Sequence, residues 1–221
     1  MFKILFLLLL LCGDILNASY LENAHKALLS QNISKAIQLY KLSAREGVDE
    51  ANFQLGKIYY MQKYNHRDFN KAFEYFKKAA DYGHQKAKYN LAIIYSQKRF
   101  KKHNFKRAYE LFLSLAKHGQ SNAQYRVGIA LLYGLGVKKD YSLSKRWFEE
   151  SYFENNYKRA ACPIAFIYAN GLGVIQNLGR ARKFSEPFLN KYPLCTKVFE
   201  EFKLFKNKYK KDKGFKLGYY K

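Results

Sequence analysis

Four segments of this chain repeat one arrangement of small and apolar residues at nearly constant spacing. Counted from Ala51, the residues Leu55, Gly56, Tyr59, Asp68, Ala72 and Tyr75 stand at offsets 4, 5, 8, 17, 21 and 24. The same offsets from Ala87 hold Leu91, Ala92, Tyr95, Asn104, Ala108 and Leu111. From Ala123 they hold Val127, Gly128, Leu131, Asp140, Ser144 and Trp147; from Ala160 they hold Ile164, Ala165, Tyr168, Asn177, Ala181 and Phe184. The starts lie 36, 36 and 37 residues apart. Offsets 0 to 8 share one face of a helix. The residue at offset 17 is Asp or Asn, the type that accepts from the open N–H groups at a helix start. Each unit therefore predicts one antiparallel helix pair, and a register held over four units predicts an array. A degenerate earlier unit runs from Lys35-Ala36-Ile37 to Ala44-Arg45-Glu46-Gly47, matching Lys71-Ala72-Phe73 to Ala80-Asp81-Tyr82-Gly83.

The spacing predicts an opening helix pair over residues 19–29 and 34–46 with Asn32 as a cap. First helices follow near 51–61, 87–97, 123–133 and 161–169, and second helices near 69–82, 105–118, 141–155 and 179–190. Between the third such pair of helices, Gly134 and Gly136 break the chain and Asp140 opens the next helix, which buries Leu143, Trp147 and Phe148. Pro163 falls in a first turn, where its missing N–H costs little. Pro187 should kink or end its helix, Tyr192-Pro193 should end the array, and residues 196–211 read as a capping helix.

The pattern A-x3-L-G-x2-Y…G-x-G-V-x2-D-x3-A-x2-[WY] resembles the Sel-one-like repeat (SLR) family, a relative of the tetratricopeptide repeat. The resemblance covers about residues 20–192 and is most specific at Gly134-Leu135-Gly136-Val137 with Asp140, and at Gly171-Leu172-Gly173-Val174 with Asn177. The segments 62–67 and 98–103 lack both glycines, which leaves their turn geometry open. The resemblance implies an all-α, right-handed α-solenoid of about five antiparallel helix pairs with a C-terminal capping helix. It implies an interaction scaffold rather than a chemistry.

Residues 1–18 read as a secretory signal: Lys3 is followed by an apolar core over residues 4–11, too short to span a bilayer, with cleavage expected after Ala18. Cys12 would suit a lipoprotein, but Leu11 before it is too large for that processing. The expected organisation is signal 1–18, repeat domain 19–192, and capping helix with basic tail 193–221, in an exported, periplasmic or secreted protein. Export favours disulfides. Cys162 and Cys195 lie at equivalent ends of neighbouring units, so they read as a bridge or as two buried thiols. The net charge of +23 attracts anions: acidic peptides or proteins, envelope glycans, or lipid surfaces, the last through the tail from residue 206. Nucleic acid fits poorly, because Lys is scattered over every second helix and export removes the partner.

No cofactor or metal site is expected. The histidines His25, His66, His84, His103 and His118 form no i, i+4 pair and approach no cysteine, and His84 and His118 read as exposed polar residues at unit junctions. Glu149-Glu150 reads as a solvated face. Cysteine-rich exported members of the SLR family carry a label as weak β-lactamases or penicillin-binding proteins, which makes that activity the alternative reading. The serine chemistry needs S-x-x-K. Ser114/Lys117 and Ser142/Lys145 match it, but roughly one or two matches are expected by chance in so Lys-rich a chain, and Thr196 is the one threonine, so no K-T-G exists. The resemblance puts first helices on a concave face. Offset 2 gives Phe53, Tyr89 and Tyr125, and offsets 3 and 6 give Gln54, Asn90 and Arg126, then Lys57 and Ile129. By resemblance to tetratricopeptide domains these are peptide-gripping positions, and Lys57, Asn90 and Arg126 are similar to a carboxylate clamp. The expected contact set is Phe53, Lys57, Tyr89, Asn90, Tyr125 and Arg126; the aromatic row reads equally as packing between neighbouring units.

Overall fold

A computed structural model describes residues 20–204, so the expected signal, Cys12 and the basic tail lie outside the described residues. The described residues form eleven helices and no strand. The chain divides into two compact units, one ending at Ile94 and one beginning at Tyr95. The first holds α1 (residues 20–29), α2 (Ile33–Arg45), α3 (Asp49–Tyr60), α4 (Phe69–Asp81) and nearly all of α5 (Gln85–Tyr95). In the second are α6 (Phe105–Ala116), α7 (Ser121–Tyr133), α8 (Tyr141–Glu149), α9 (Ala161–Asn170), α10 (Leu178–Ser185) and α11 (Pro193–Leu204).

Polar side chains set where the second helices begin. Asn32, Asp68, Asn104, Asp140 and Asn177 each accept from a backbone N–H two or three residues on, at 2.8–3.1 Å. Each such cap is worth about 1 kcal/mol. The backbone N–H at offset 17 also donates to the carbonyl at offset 8, pairing Asp68 with Tyr59, Asn104 with Tyr95, Asp140 with Leu131 and Asn177 with Tyr168 at 2.8–3.1 Å. That bond fixes the width of the loop whether or not the loop holds glycine. Where both glycines are missing, residues 62–64 form a 3₁₀ turn and Asn65 takes the left-handed conformation at φ 56°. In the other, Phe100 is buried as a plug.

The glycine loops do more than turn. A Cβ on Gly136 would lie 2.2 Å from the carbonyl carbon of Phe105, and one on Gly173 would lie 2.9 Å from the Ser142 hydroxyl. Each loop thus rests on the start of the preceding second helix. Within a pair, offset 5 faces offset 25: Cβ atoms on Gly56 and Gly128 would sit 2.5 and 2.6 Å from the rings of Phe76 and Phe148. Ser144, in a position that is alanine elsewhere, donates from Oγ to the Gly128 carbonyl at 2.7 Å. Along α8, Phe148 and Ser144 are the fully buried residues, while Leu143 and the large Trp147 ring are half-buried.

The single 37-residue spacing has a structural cause. Gly47, Gly83 and Gly119 terminate three second helices at φ of 85°, 91° and 78°. Their counterpart in the next pair is Asn156, at φ 54°, one residue later than the register predicts. The extra residue is absorbed by a π turn over Glu150–Glu154, the form a one-residue insertion takes inside a helix. Ser151 Oγ donates to the Ser121 carbonyl at 2.7 Å, Gln124 Nε2 to Glu150 at 2.8 Å, and Asn155 Nδ2 to Gln124 Oε1 at 3.0 Å. Gln124 is fully buried and holds the turn from inside.

At the C-terminal end α10 stops at Ser185, ahead of Pro187, as expected. The capping helix starts three residues earlier than the sequence reading placed it, because Pro193 is its first residue rather than a terminator. A proline is tolerated there since its N–H would have no helical partner. α11 packs on α9 and α10 and buries Leu194, Val198 and Phe199. Cys162 of α9 and Cys195 of α11 form a disulfide with Cα atoms 4.7 Å apart.

Candidate functional site

The predicted contact positions fall in both units. In the first unit, α3 supplies Phe53 and Lys57, and α5 supplies Tyr89 and Asn90. Phe53 is 7% exposed, and its ring stacks on His84 at 4.4 Å and tilts against Phe76 at 6.0 Å. Tyr125 of α7 is equally deep, between Phe148 at 5.6 Å and Tyr157 at 5.5 Å. These two rings fill the seam between one helix pair and the start of the next. Lys57, Tyr89, Asn90 and, in the second unit, Arg126 are half-buried and present polar atoms at the surface.

A polar network surrounds Phe53 that the sequence did not announce. Lys57 Nζ donates to Gln54 Oε1 at 3.1 Å and stands 5.4 Å from the Phe53 ring centroid. Gln54 Nε2 donates in turn to Glu50 Oε1. On its other oxygen Glu50 meets His84 Nε2 at 3.0 Å. The Ala87 backbone N–H donates to His84 Nδ1 at 3.1 Å, so Nδ1 is the acceptor and Nε2–H is the donor to Glu50. His84 is therefore a cap for α5 and a hydrogen-bond donor to Glu50, with its side chain 12% exposed, and not the exposed junction residue the sequence suggested. Burial pushes the Glu50 carboxyl up, but hydrogen bonds from His84 and Gln54 with the nearby His84 and His25 imidazoles outweigh it, holding the group below its ordinary value.

A second recurrent device links offsets 8, 20 and 24. Tyr59 stacks on Tyr75 at 5.7 Å with Lys71 over its ring at 5.3 Å. Tyr168 stacks on Phe184 at 6.2 Å with Arg180 over its ring at 5.3 Å. Arg180 also donates to the Tyr168 hydroxyl at 3.0 Å, and that hydroxyl meets Glu149 at 3.5 Å. Glu149 is closed further by Lys145 at 2.8 Å and is half-buried, whereas Glu150 is exposed, as the sequence suggested, and also accepts from Gln124.

Those same bonds bear on the S-x-x-K match at Ser142. Lys145 is committed to Glu149, and Ser142 Oγ donates to the Gly173 carbonyl at 3.2 Å, so the pair does not meet as nucleophile and base. At the other match, Lys117 is the exposed cap residue ending α6. Among the described residues no group of three His, Cys, Asp or Glu could hold a metal ion, and no helix is long and apolar enough to cross a membrane.

Comparison with known proteins places this architecture. A search of curated proteins returned no match. The chain is similar to the solved structure of a protective antigen of uropathogenic Escherichia coli strains displaying an SLR fold, at 24% identity and TM-score 0.70, over 86% of this chain and 42% of that one. This chain thus spans less than half the length of that relative. It is also similar to a Sel1 repeat protein from Oxalobacter formigenes, at 19% identity and TM-score 0.62, over 86% of this chain and 88% of that one. These likenesses show the fold, an all-helical solenoid of stacked repeats. The Sel1 repeat pattern matches residues 22–48, 49–84, 85–120, 121–152 and 157–186, which correspond to the helix pairs α1–α2 through α9–α10. The chain belongs to the Sel1 repeat family, whose members typically mediate protein–protein interactions.

Proposed function

We propose that the chain is an exported, non-catalytic scaffold that holds an anionic protein or peptide segment against the half-buried polar positions of its first helices. The observation that carries this reading is the setting of Lys57. Its ammonium is held by the neutral amide of Gln54 and the Phe53 ring, while the neighbouring carboxylate Glu50 is taken up by His84 and Gln54. A cation positioned by neutral groups keeps its charge for a partner. Asn90 on α5 and, in the second unit, Arg126 on α7 share the register position of Gln54, three residues before that of Lys57, and are polar groups suited to an anion. Phe53 and Tyr125 support that surface from beneath, and Tyr89, half-buried, adds an amphipathic ring. The disulfide between Cys162 and Cys195 supports an oxidising, extracytoplasmic location, where an envelope glycan is the competing ligand.

The test is a crosslinking pull-down from the native envelope with wild type, Lys57→Glu and Arg126→Glu. Loss of the same protein from both variants, at unchanged melting temperature, is the expected result. Equal recovery from all three would remove the first helices as the binding surface. Nitrocefin turnover that survives purification and disappears in Ser142→Ala would overturn the non-catalytic reading.

A further inference from the structure

The one-residue insertion in the fourth helix pair does more than lengthen a repeat. It ends α8 in a π turn that carries Tyr152 and Phe153 where the preceding pairs have alanine and Lys or Asp: Ala80 with Asp81, and Ala116 with Lys117. Phe153 is 60% exposed, although its edge meets Tyr152 at 4.9 Å and Phe184 at 6.0 Å. Phe184 and Tyr152 are in contact at 5.8 Å, and Tyr152 reaches Phe188 at 6.4 Å. Cations flank these rings: Lys158 Nζ stands 5.2 Å from the Tyr152 centroid, and Lys191 Nζ stands 5.7 Å from that of Tyr192, which itself abuts Phe188 at 5.7 Å. Of the nearby carboxylates, Glu154 beside Phe153 is exposed and Glu186 is paired with Arg182 at 3.2 Å; Arg159, 5.9 Å from the Tyr192 ring, joins Lys158 and Lys191, so cations outnumber carboxylates around these rings.

We infer that this aromatic and basic patch, Phe153 with Tyr152, Phe184, Lys158 and Lys191, is a second docking surface, built to take an acidic peptide segment bearing an apolar side chain. The π turn is locked by Ser151, Gln124 and Asn155, so Phe153 is presented by a fixed backbone and not by a loose loop. An exposed aromatic in a rigid frame with partly buried aromatic neighbours is the composition of an interface anchor. Charge selects the occupant. The tail from residue 206 carries seven lysines and a second copy of the chain carries +23, so both share the sign of the patch. An acidic segment is complementary to it. With one ring mostly exposed and the others half-buried, the apolar area suits one or two side chains rather than insertion into an acyl phase.

The full chain is titrated by fluorescence anisotropy against a labelled synthetic peptide of alternating Glu and Leu with one Trp, and against its Lys-for-Glu counterpart. The acidic peptide binds, the basic one does not, and Phe153→Ala and Lys158→Glu each weaken binding roughly tenfold at unchanged melting temperature. Lys41→Glu, the same charge reversal at an exposed position of α2 that belongs to neither surface, leaves this affinity unchanged, so the loss reads the patch and not the overall charge. Equal affinity of wild type and both patch variants overturns the inference, as does failure of the acidic peptide to bind wild type. It is also overturned if Phe153→Ala reduces binding to phosphatidylglycerol vesicles and leaves peptide binding intact.

Discussion

Replacing both Cys162 and Cys195 by alanine removes the one covalent link between α9 and the capping helix α11. The bridge joins residues separated by 33 positions, and the loop-closure relation for a ring of that size gives about 3.7 kcal/mol of stabilisation through the unfolded chain. Both cysteines are buried, at 2% and 0% exposure, so the alanines also forgo some packing, in the same direction. Because each repeat is stabilised by its neighbours, the loss concentrates at the end of the array. α11, with Leu194, Val198 and Phe199 on its buried side, frays first, and α9 and α10 then lose their cover. Hydrogen exchange on the oxidised protein, the reduced protein and the double variant reads this directly, alongside thermal melts. Amide protection should fall by two to three decades over α9 to α11, on the order of the computed energy, while α3 and α4 keep theirs. The melting transition of the second unit should drop by roughly 7–15 °C. Unchanged protection across α9 to α11 in the reduced protein would refute the reasoning, since the packing of α11 would then suffice without the bond.

Other outcomes follow from the same geometry. Gly136→Ala combines φ of 74° with a Cβ 2.2 Å from the Phe105 carbonyl carbon, whereas Gly119→Ala has φ of 78° and open space. Chemical denaturation should show a loss of about 1–2 kcal/mol for Gly119→Ala and a clearly larger one for Gly136→Ala. Asn104→Ala should cost about 1 kcal/mol by the same measurement, because α6 loses its side-chain cap. Glu50 has its folded pKa held below the ordinary 4.5, so its contribution is complete above that value and is lost as pH falls through the folded pKa. The acid limb of the melting temperature should therefore be shallower in Glu50→Gln, by a small amount since the group is partly solvated; an unchanged limb would exclude the His84–Glu50 pair as a source of stability.

Much of the fold was legible because its signals are local. The Asx residues at offset 17 cap helices by contacts within three residues, and the glycines at offset 5, Gly56 and Gly128, mark where rings of the partner helix approach. The equivalent positions of Cys162 and Cys195 in neighbouring units allowed a bridge or two buried thiols, and the 4.7 Å Cα separation that decides for the bridge is visible only in the structure. What stayed hidden depends on contacts between units. α7 and α9 are buried on nearly every side, so their apolar pattern does not say which face is open, and Phe53 and Tyr125 read as well for a groove as for the seam they fill. His84 occupies a place held by Val48, Gln120 and Tyr157 in other pairs, so no recurrence singled it out as a cap. The 37-residue spacing was visible, but a one-residue insertion fits a loop as readily as a π turn until the bonds of Ser151 and Gln124 are seen.

Site-specific photo-crosslinking tests the central claim most directly. A benzophenone amino acid is placed in turn at Lys57, at Asn90, at Arg126 and, on α4, at the exposed Glu74, and each protein is irradiated in the cells that produce it. The account predicts one common adduct from positions 57, 90 and 126 and its absence from position 74. The same adduct from all four positions, or from position 74 alone, would contradict binding through the first helices.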